Sequence, residues 1–252
     1  MKNLKMKPQE WYIRSLIEIL KNKDNYYGDF KKDIAYTYVL NSFADKYSNT
    51  FFFKDKNGNS KLFNMYWGSF DPRNNYEDIV DSIIISKAAY EYLKSEELSK
   101  CKTKTAAKPL LKRYLHLEHL TPMSYSWRKA LELKTYTEDT IKECFRYAVV
   151  SLISKEESKL LDSNALLEEK DIDLLTKLSK KYPEIKDEEI EEAKDLLNKK
   201  IKLKANGNGL IRLIHLYNNK DGFFVDRNGV EIDIYELYNR LKANKFELHQ
   251  YR

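Results

Sequence analysis

The sequence predicts an α+β fold, predominantly helical, with two short β-hairpins and one additional buried strand. Three observations carry that expectation. Apolar residues recur at helical spacing along much of the 252-residue chain. Aromatic or β-branched runs flank residues 54–61, which contain Asn57-Gly58, and flank Asp226-Arg227-Asn228-Gly229. Ala148-Val149-Val150-Ser151-Leu152-Ile153 is a continuous run of strand length.

Pro8 sits where a helix's first turn tolerates it, and Trp11, Leu16, Ile17, Ile19 and Leu20 form an apolar stripe. Asp29 is placed to cap a second helix with Phe30, Ile34, Tyr38 and Phe43 near one face. Residues 50–53 and 62–67 make the first hairpin, and Asp71-Pro72 a turn. Residues 76–94 have the spacing of a long helix. Tyr76, Val80, Ile83, Ile84, Tyr90 and Leu93 fall on its inner side, and Asp78 and Asp81 in its first turns. Residues 95–107 are a polar, basic connection. Ser124 or Ser126 is expected to cap a helix through Trp127, and Thr137 another. Ser154-Lys155-Glu156-Glu157 has the pattern of a capping box. Past Asp162 the chain is rich in Glu and Lys at helical spacing, with Pro183 between two helices. Asn206-Gly207-Asn208-Gly209 has neither the lysine nor the spacing of a phosphate-binding loop and is expected to be a turn. The second hairpin and a helix over residues 235–242 close the chain. The change of texture places a boundary between residues 1–163, a core carrying the central Glu-His motif, and residues 164–252, although the two can form a single domain.

Composition bounds the function. An apolar fraction of 42% can build a core. A net charge of +6 permits a polyanionic partner without demanding one. The 19 tyrosines can pack on one face and stack on bases with the other. Cys101 and Cys144 form no CxxC, which excludes a cysteine-based zinc site and argues for a reducing compartment. The apolar stripe from Trp11 to Leu20 is broken by Arg14 and Glu18, so it reads as neither a signal peptide nor a membrane span. The expectation is a cytoplasmic protein with no membrane partner.

Ionisable chemistry concentrates in Leu115-His116-Leu117-Glu118-His119-Leu120-Thr121-Pro122-Met123-Ser124. If this segment is extended, His116 and Glu118 share a face and His119 points away unless the chain bends before Pro122. If it ends a helix that starts near Thr105, His116 lies about one turn from His119. Lys100, Lys102, Lys104, Lys108, Lys112 and Arg113 precede it, and Arg128 and Lys129 follow. They can hold phosphates along a nucleic-acid backbone or form a solvated face. The plain structural alternative makes His116, Glu118 and His119 a hydrogen-bonded cluster at the edge of a core.

Leu117-Glu118-His119-Leu120-Thr121-Pro122-Met123-Ser124 resembles the first strand motif of HNH-type endonucleases: an apolar residue, an acid, a histidine, two mostly apolar residues, a proline and a nearby serine. The resemblance implies a nuclease, with Glu118 binding Mg²⁺ or a similar divalent ion and His119 as the base that activates water. His116 would assist the metal or orient the substrate. Lys104, Lys108, Lys112, Arg113, Arg128 and Lys129 would hold phosphates. DNA is favoured over RNA as the partner, in a setting of defence against invading DNA. The motif's later Asn and helical His or Asn have no counterpart nearby. Arg113 to His119 is also similar to the Arg-x4–6-His signature of HEPN ribonucleases. That resemblance implies metal-free RNA cleavage, often in a homodimer. A non-catalytic nucleic-acid- or protein-binding module is the alternative from another class.

Overall fold

The computed structural model describes residues 8–25, 34–54, 60–64, 83–162, 164–219 and 223–246. The fold is α+β and predominantly helical. Asp29, the Asn57-Gly58 turn, Asp71-Pro72 and residues 65–82 lie outside the described residues.

The chain opens with α1 (Pro8–Lys21) and α2 (Ile34–Asn49), followed by the expected first hairpin of β1 (Thr50–Lys54) and β2 (Ser60–Asn64). Ile84–Ile85, expected to be helical, instead forms strand β3. The reason is local. Ile83-Ile84-Ile85 is a β-branched run, all of it buried, and Ser86 ends it by accepting the Ala89 N–H, so helix α3 (Lys87–Leu93) starts only there. The polar connection that follows contains the short α4 (Glu96–Ser99). Next come α5 (Lys104–Tyr114), β4 (Leu115–His119), α6 (Met123–Leu131) and α7 (Glu138–Cys144). Neither Ser124 nor Ser126 caps α6: the cap position is Pro122, which supplies no side-chain bond. Thr137 does cap α7. Strand β5 (Val150–Ser154) runs into α8 (Lys155–Ser158) through the capping box, in which Glu157 accepts the Ser154 N–H at 2.8 Å.

Strand β5 is central. It pairs parallel with β3 and antiparallel with β4. The pleat sorts side chains to two apolar layers. Ile83, Ile85, Leu115, Leu117, Val150 and Leu152 meet α3 and α5 on one face. Ile84 and Ile153 meet the C-terminal helices on the other: α9 (Glu169–Lys181), α10 (Asp187–Asn198), α11 (Gly209–Asn219) and α12 (Ile234–Phe246). Residues on both sides of position 163 therefore share one apolar layer. A third cluster joins α1, α2, α6 and α7 around Leu16, Ala44, Trp127 and Phe145. The second hairpin forms as a tight turn, Asp226 N–H to Val230 O at 2.9 Å, and Val225 N–H extends the sheet by bonding Ile85 O at 3.1 Å.

Residues 206–209, expected to be a turn, start α11. Asn208 Oδ1 accepts the N–H groups of Leu210 and Ile211, both at 3.0 Å. Gly209 is required by contact: a Cβ there would lie 2.2 Å from Tyr147 O. Helix α11 is buried almost along its whole length and carries His215, whose Nδ1–H donates to Asp171 at 2.8 Å, both groups being buried. Burial alone would push the Asp171 carboxyl up. Hydrogen bonds from His215, Asn218 and the Glu168 N–H outweigh it and hold the carboxyl below its ordinary value. This carboxylate therefore adds stability that is complete above its unfolded pKa of about 3.9 and is lost as pH falls through its lower folded value. Asp171→Asn should lower stability at neutral pH by about 3 kcal/mol and flatten the acid limb, as read from urea midpoints taken between neutral and acid pH.

Candidate functional site

The extended reading of the central stretch holds, and the helical one, which would have set His116 and His119 a turn apart, does not. Helix α5 runs to Tyr114 and the chain then extends as β4. His116 and Glu118 share a face, opposite Ile153 and Ser151 of β5, and this face looks onto α11. There Glu118 Oε1 accepts from Arg212 Nη2 at 2.7 Å, and Glu118 Oε2 lies 3.1 Å from His116 Nε2. The Arg212 side chain is only 3% exposed. Burial pulls its pKa down, opposed by the adjacent Glu118 carboxylate. A second guanidinium nitrogen bonds the Leu203 carbonyl.

His119 alternates away from that face and is caught by α2. Its Nε2 lies 3.1 Å from Asp45 Oδ1 and 3.3 Å from Asn49 Nδ2. Asn49 has shorter bonds for its two amide hydrogens, to Asp45 O at 2.8 Å and Asp45 Oδ1 at 2.7 Å. The proton in the His119–Asp45 contact therefore belongs to Nε2, and Asp45 accepts it. Among the described residues no hydrogen bond reaches His119 Nδ1.

The chain bends before Pro122, so His116, Glu118 and His119 line one open cleft of about 290 Å³ with Asn41, Met123, Ser124, Lys204 and Arg212. Asn41 is fixed by the Trp127 indole N–H at 2.8 Å. The arrangement offers two imidazoles and a fixed cation in one place. A divalent ion on Glu118 is a poor match, because both carboxylate oxygens are engaged and one faces a buried guanidinium. Among the described residues no three His, Cys, Asp or Glu side chains gather to hold a metal ion.

The cations expected to hold phosphates divide. Lys104, Lys108 and Lys112 recur every four residues on α5, one helical stripe leading into β4, and Lys108, Lys112 and Arg113 are exposed. Arg113 packs over the Tyr114 ring and does not line the cleft. Arg128 bonds the carbonyls of Ser124 and Ala205. Lys129 turns to the other side of α6 and meets Glu192 at 3.6 Å. There a larger cleft of about 660 Å³, between α6, α7 and α10, is lined by Glu143, Glu188, Glu189, Glu191, Glu192 and Asp195, among others. Burial raises the Glu189 carboxyl despite the nearby Arg146.

Asp45, Asn49, Lys204 and Arg212 were not singled out from sequence. Arg212 carried a signal: it is the lone cation within Leu210-Ile211-Arg212-Leu213-Ile214, an otherwise apolar helical run that obliges it to find a carboxylate. Asp45 and Asn49 are four apart and share a helix face, a pattern too common to point anywhere.

No protein-family model matches the chain, and neither does any curated protein or solved structure. Among the described residues no helix is long and apolar enough to cross a membrane.

The Arg212–Glu118 pair makes a direct prediction. Glu118→Gln keeps the shape but leaves the buried guanidinium without a counter-charge, so unfolding free energy should fall by about 3 kcal/mol in urea titration. A loss near zero would mean that Arg212 finds water or another acceptor.

Proposed function

We propose that the chain is a nuclease that cleaves RNA by acid–base catalysis between two imidazoles, without a metal. The observation that carries this reading is the pairing in one cleft of His116 and His119, the latter held through Nε2 by Asp45, with no hydrogen bond to its Nδ1 among the described residues. The ribose 2′-hydroxyl is a nucleophile already held beside the phosphorus, and an imidazole base is all that its activation needs.

In the proposed step His119 Nδ1 takes the 2′-hydroxyl proton as O2′ attacks phosphorus. The P–O5′ bond breaks, O5′ takes a proton from the His116 imidazolium, and a 2′,3′-cyclic phosphate remains. Solvent exchange resets both rings. Asp45 is a positioning residue: it fixes the His119 tautomer and orientation. Glu118 orients His116. Lys104, Lys108 and Lys112 would lie along the phosphates of the incoming strand.

The HNH resemblance would assign Glu118 and His119 to Mg²⁺-dependent cleavage of DNA. Strand β5 and helix α8 do follow β4, but α8 (Lys155–Ser158) carries neither His nor Asn, and Glu118 is already engaged. The metal-free route has more support in the geometry.

With purified protein and a labelled RNA, cleavage should persist in EDTA, end in a 2′,3′-cyclic phosphate and fail where the scissile ribose is 2′-deoxy. His119→Ala should lower kcat by 10²–10⁴, as is usual for loss of a general base. Asp45→Asn should lower kcat with KM nearly unchanged and shift the His119 ring ¹⁵N resonances, which a purely structural role would not do. Cleavage of DNA that requires Mg²⁺ would overturn the reading. So would salt-sensitive binding with no turnover by folded wild type, which would mark a binding module.

A further inference from the structure

We infer that the phosphate under attack is seated by the N-terminus of α6 together with Lys204 and Arg212, a built anion site on the wall of the cleft opposite β4. The inference rests on the nuclease reading for its substrate, a nucleic-acid phosphate, but its geometry is independent of catalysis.

The first N–H groups of any helix lack partners inside it, and the aligned peptide dipoles leave partial positive charge there. In α6 (Met123–Leu131) the usual remedy is missing, because Pro122 at the cap offers no side-chain acceptor. The N–H groups of Tyr125 and Ser126 reach back to the Pro122 carbonyl at 2.9 and 3.4 Å. Among the described residues no such acceptor takes the N–H of Met123 or Ser124, and both residues line the cleft. A helix end left in this state is a ready seat for phosphate.

A second observation points to the same place. Arg212 lines the cleft on a side chain only 3% exposed, yet its Nε–H has no hydrogen-bond partner among the described residues. A guanidinium normally uses its whole fork of donors when it is buried. Lys204, exposed at the same rim, makes no salt bridge among the described residues. Arg128 bonds Ala205 O from α6 and so ties Lys204's turn to that helix. Two cations and a helix N-terminus thus converge where His116 and His119 also face. Glu118 balances only one of the two positive charges.

The site also gives Pro122 a role. Pro122 fixes the chain for helix entry while contributing no capping oxygen, which leaves the backbone donors for a ligand.

The test is a ³¹P NMR titration of the wild-type chain with inorganic phosphate in chloride buffer, repeated with a short single-stranded DNA as competitor, which lacks the attacking 2′-hydroxyl. Lys204→Met should weaken phosphate binding about tenfold, the usual effect of losing one charge-assisted bond. Met123→Pro removes one N–H at the helical position that best tolerates proline and should weaken it several-fold, with circular dichroism unchanged. The DNA should displace phosphate from wild type. Phosphate binding that neither substitution alters would overturn the site, even if RNA is cleaved as proposed. Phosphate binding that DNA does not displace would overturn the assignment to a strand phosphate. Displacement with both variants weakened, but no RNA cleavage, would support the anion seat while removing the nuclease reading.

Discussion

The buried ion pair between Arg212 and Glu118 is the contact that the site depends on. Taking a guanidinium out of water costs several kcal/mol unless a carboxylate goes with it. Helix α11 buries Arg212 among Leu210, Ile211, Leu213 and Ile214, so a partner has to come from the neighbouring element. Only one face of β4 offers it. The side-chain period of a strand is two, so a slip of one residue would turn Glu118 and His116 toward the apolar layer under α3 and α5, where Leu115 and Leu117 belong. The pair thus sets register and places His116 in the cleft with the same contact.

His119 follows a different constraint. It ends β4 on the opposite alternation, and the next N–H, that of Leu120, still bonds Val149 O at 2.9 Å before the chain turns at Pro122. The ring is captured at that bend by a polar edge of α2, whose other side packs Leu40, Ala44 and Tyr47 against α1, α6 and α7. The third apolar cluster therefore positions Asp45, and Asp45 positions the imidazole. The cleft lies where two layers of the fold meet, and each supplies one of its histidine–carboxylate contacts.

Much of this was legible in order along the chain. The hairpin around Asp226–Gly229, the Ser154–Glu157 capping box, the buried strand after Ala148 and the helices either side of Pro183 all rest on local rules. Those rules do not depend on what packs against them. The failures have a common cause. Ile83-Ile84-Ile85 fits a helix's inner side as well as a strand, and only pairing with β5 decides between them. Asn208 reads as a turn residue until the apolar run behind it is seen to be a buried helix that needs a cap. At the site, His116, Glu118 and His119 announced themselves by proximity in sequence. Asp45 and Arg212 act across separations of 74 and 94 residues, and no local pattern encodes those pairings.

Helix α6 also separates two fields of opposite sign. Met123, Ser124, Lys204 and Arg212 face the histidine cleft, while Lys129 and Tyr125 face the wall of α10. There the Tyr125 hydroxyl donates to Glu192 at 2.6 Å, and Glu188, Glu191 and Asp195 add further negative charge. The cations of that second cleft are already paired, Lys129 with Glu192, Arg146 with Glu189 and Lys186 with Glu143 at 2.8 Å, and its acids outnumber them. Such a field would repel a polyanion from the larger cleft and favour the smaller one beside Lys204 and Arg212. Size alone would rank the clefts the other way. For an anion charge outweighs size, because carboxylates dominate the lining of the larger cleft and an anion placed among them meets like charge.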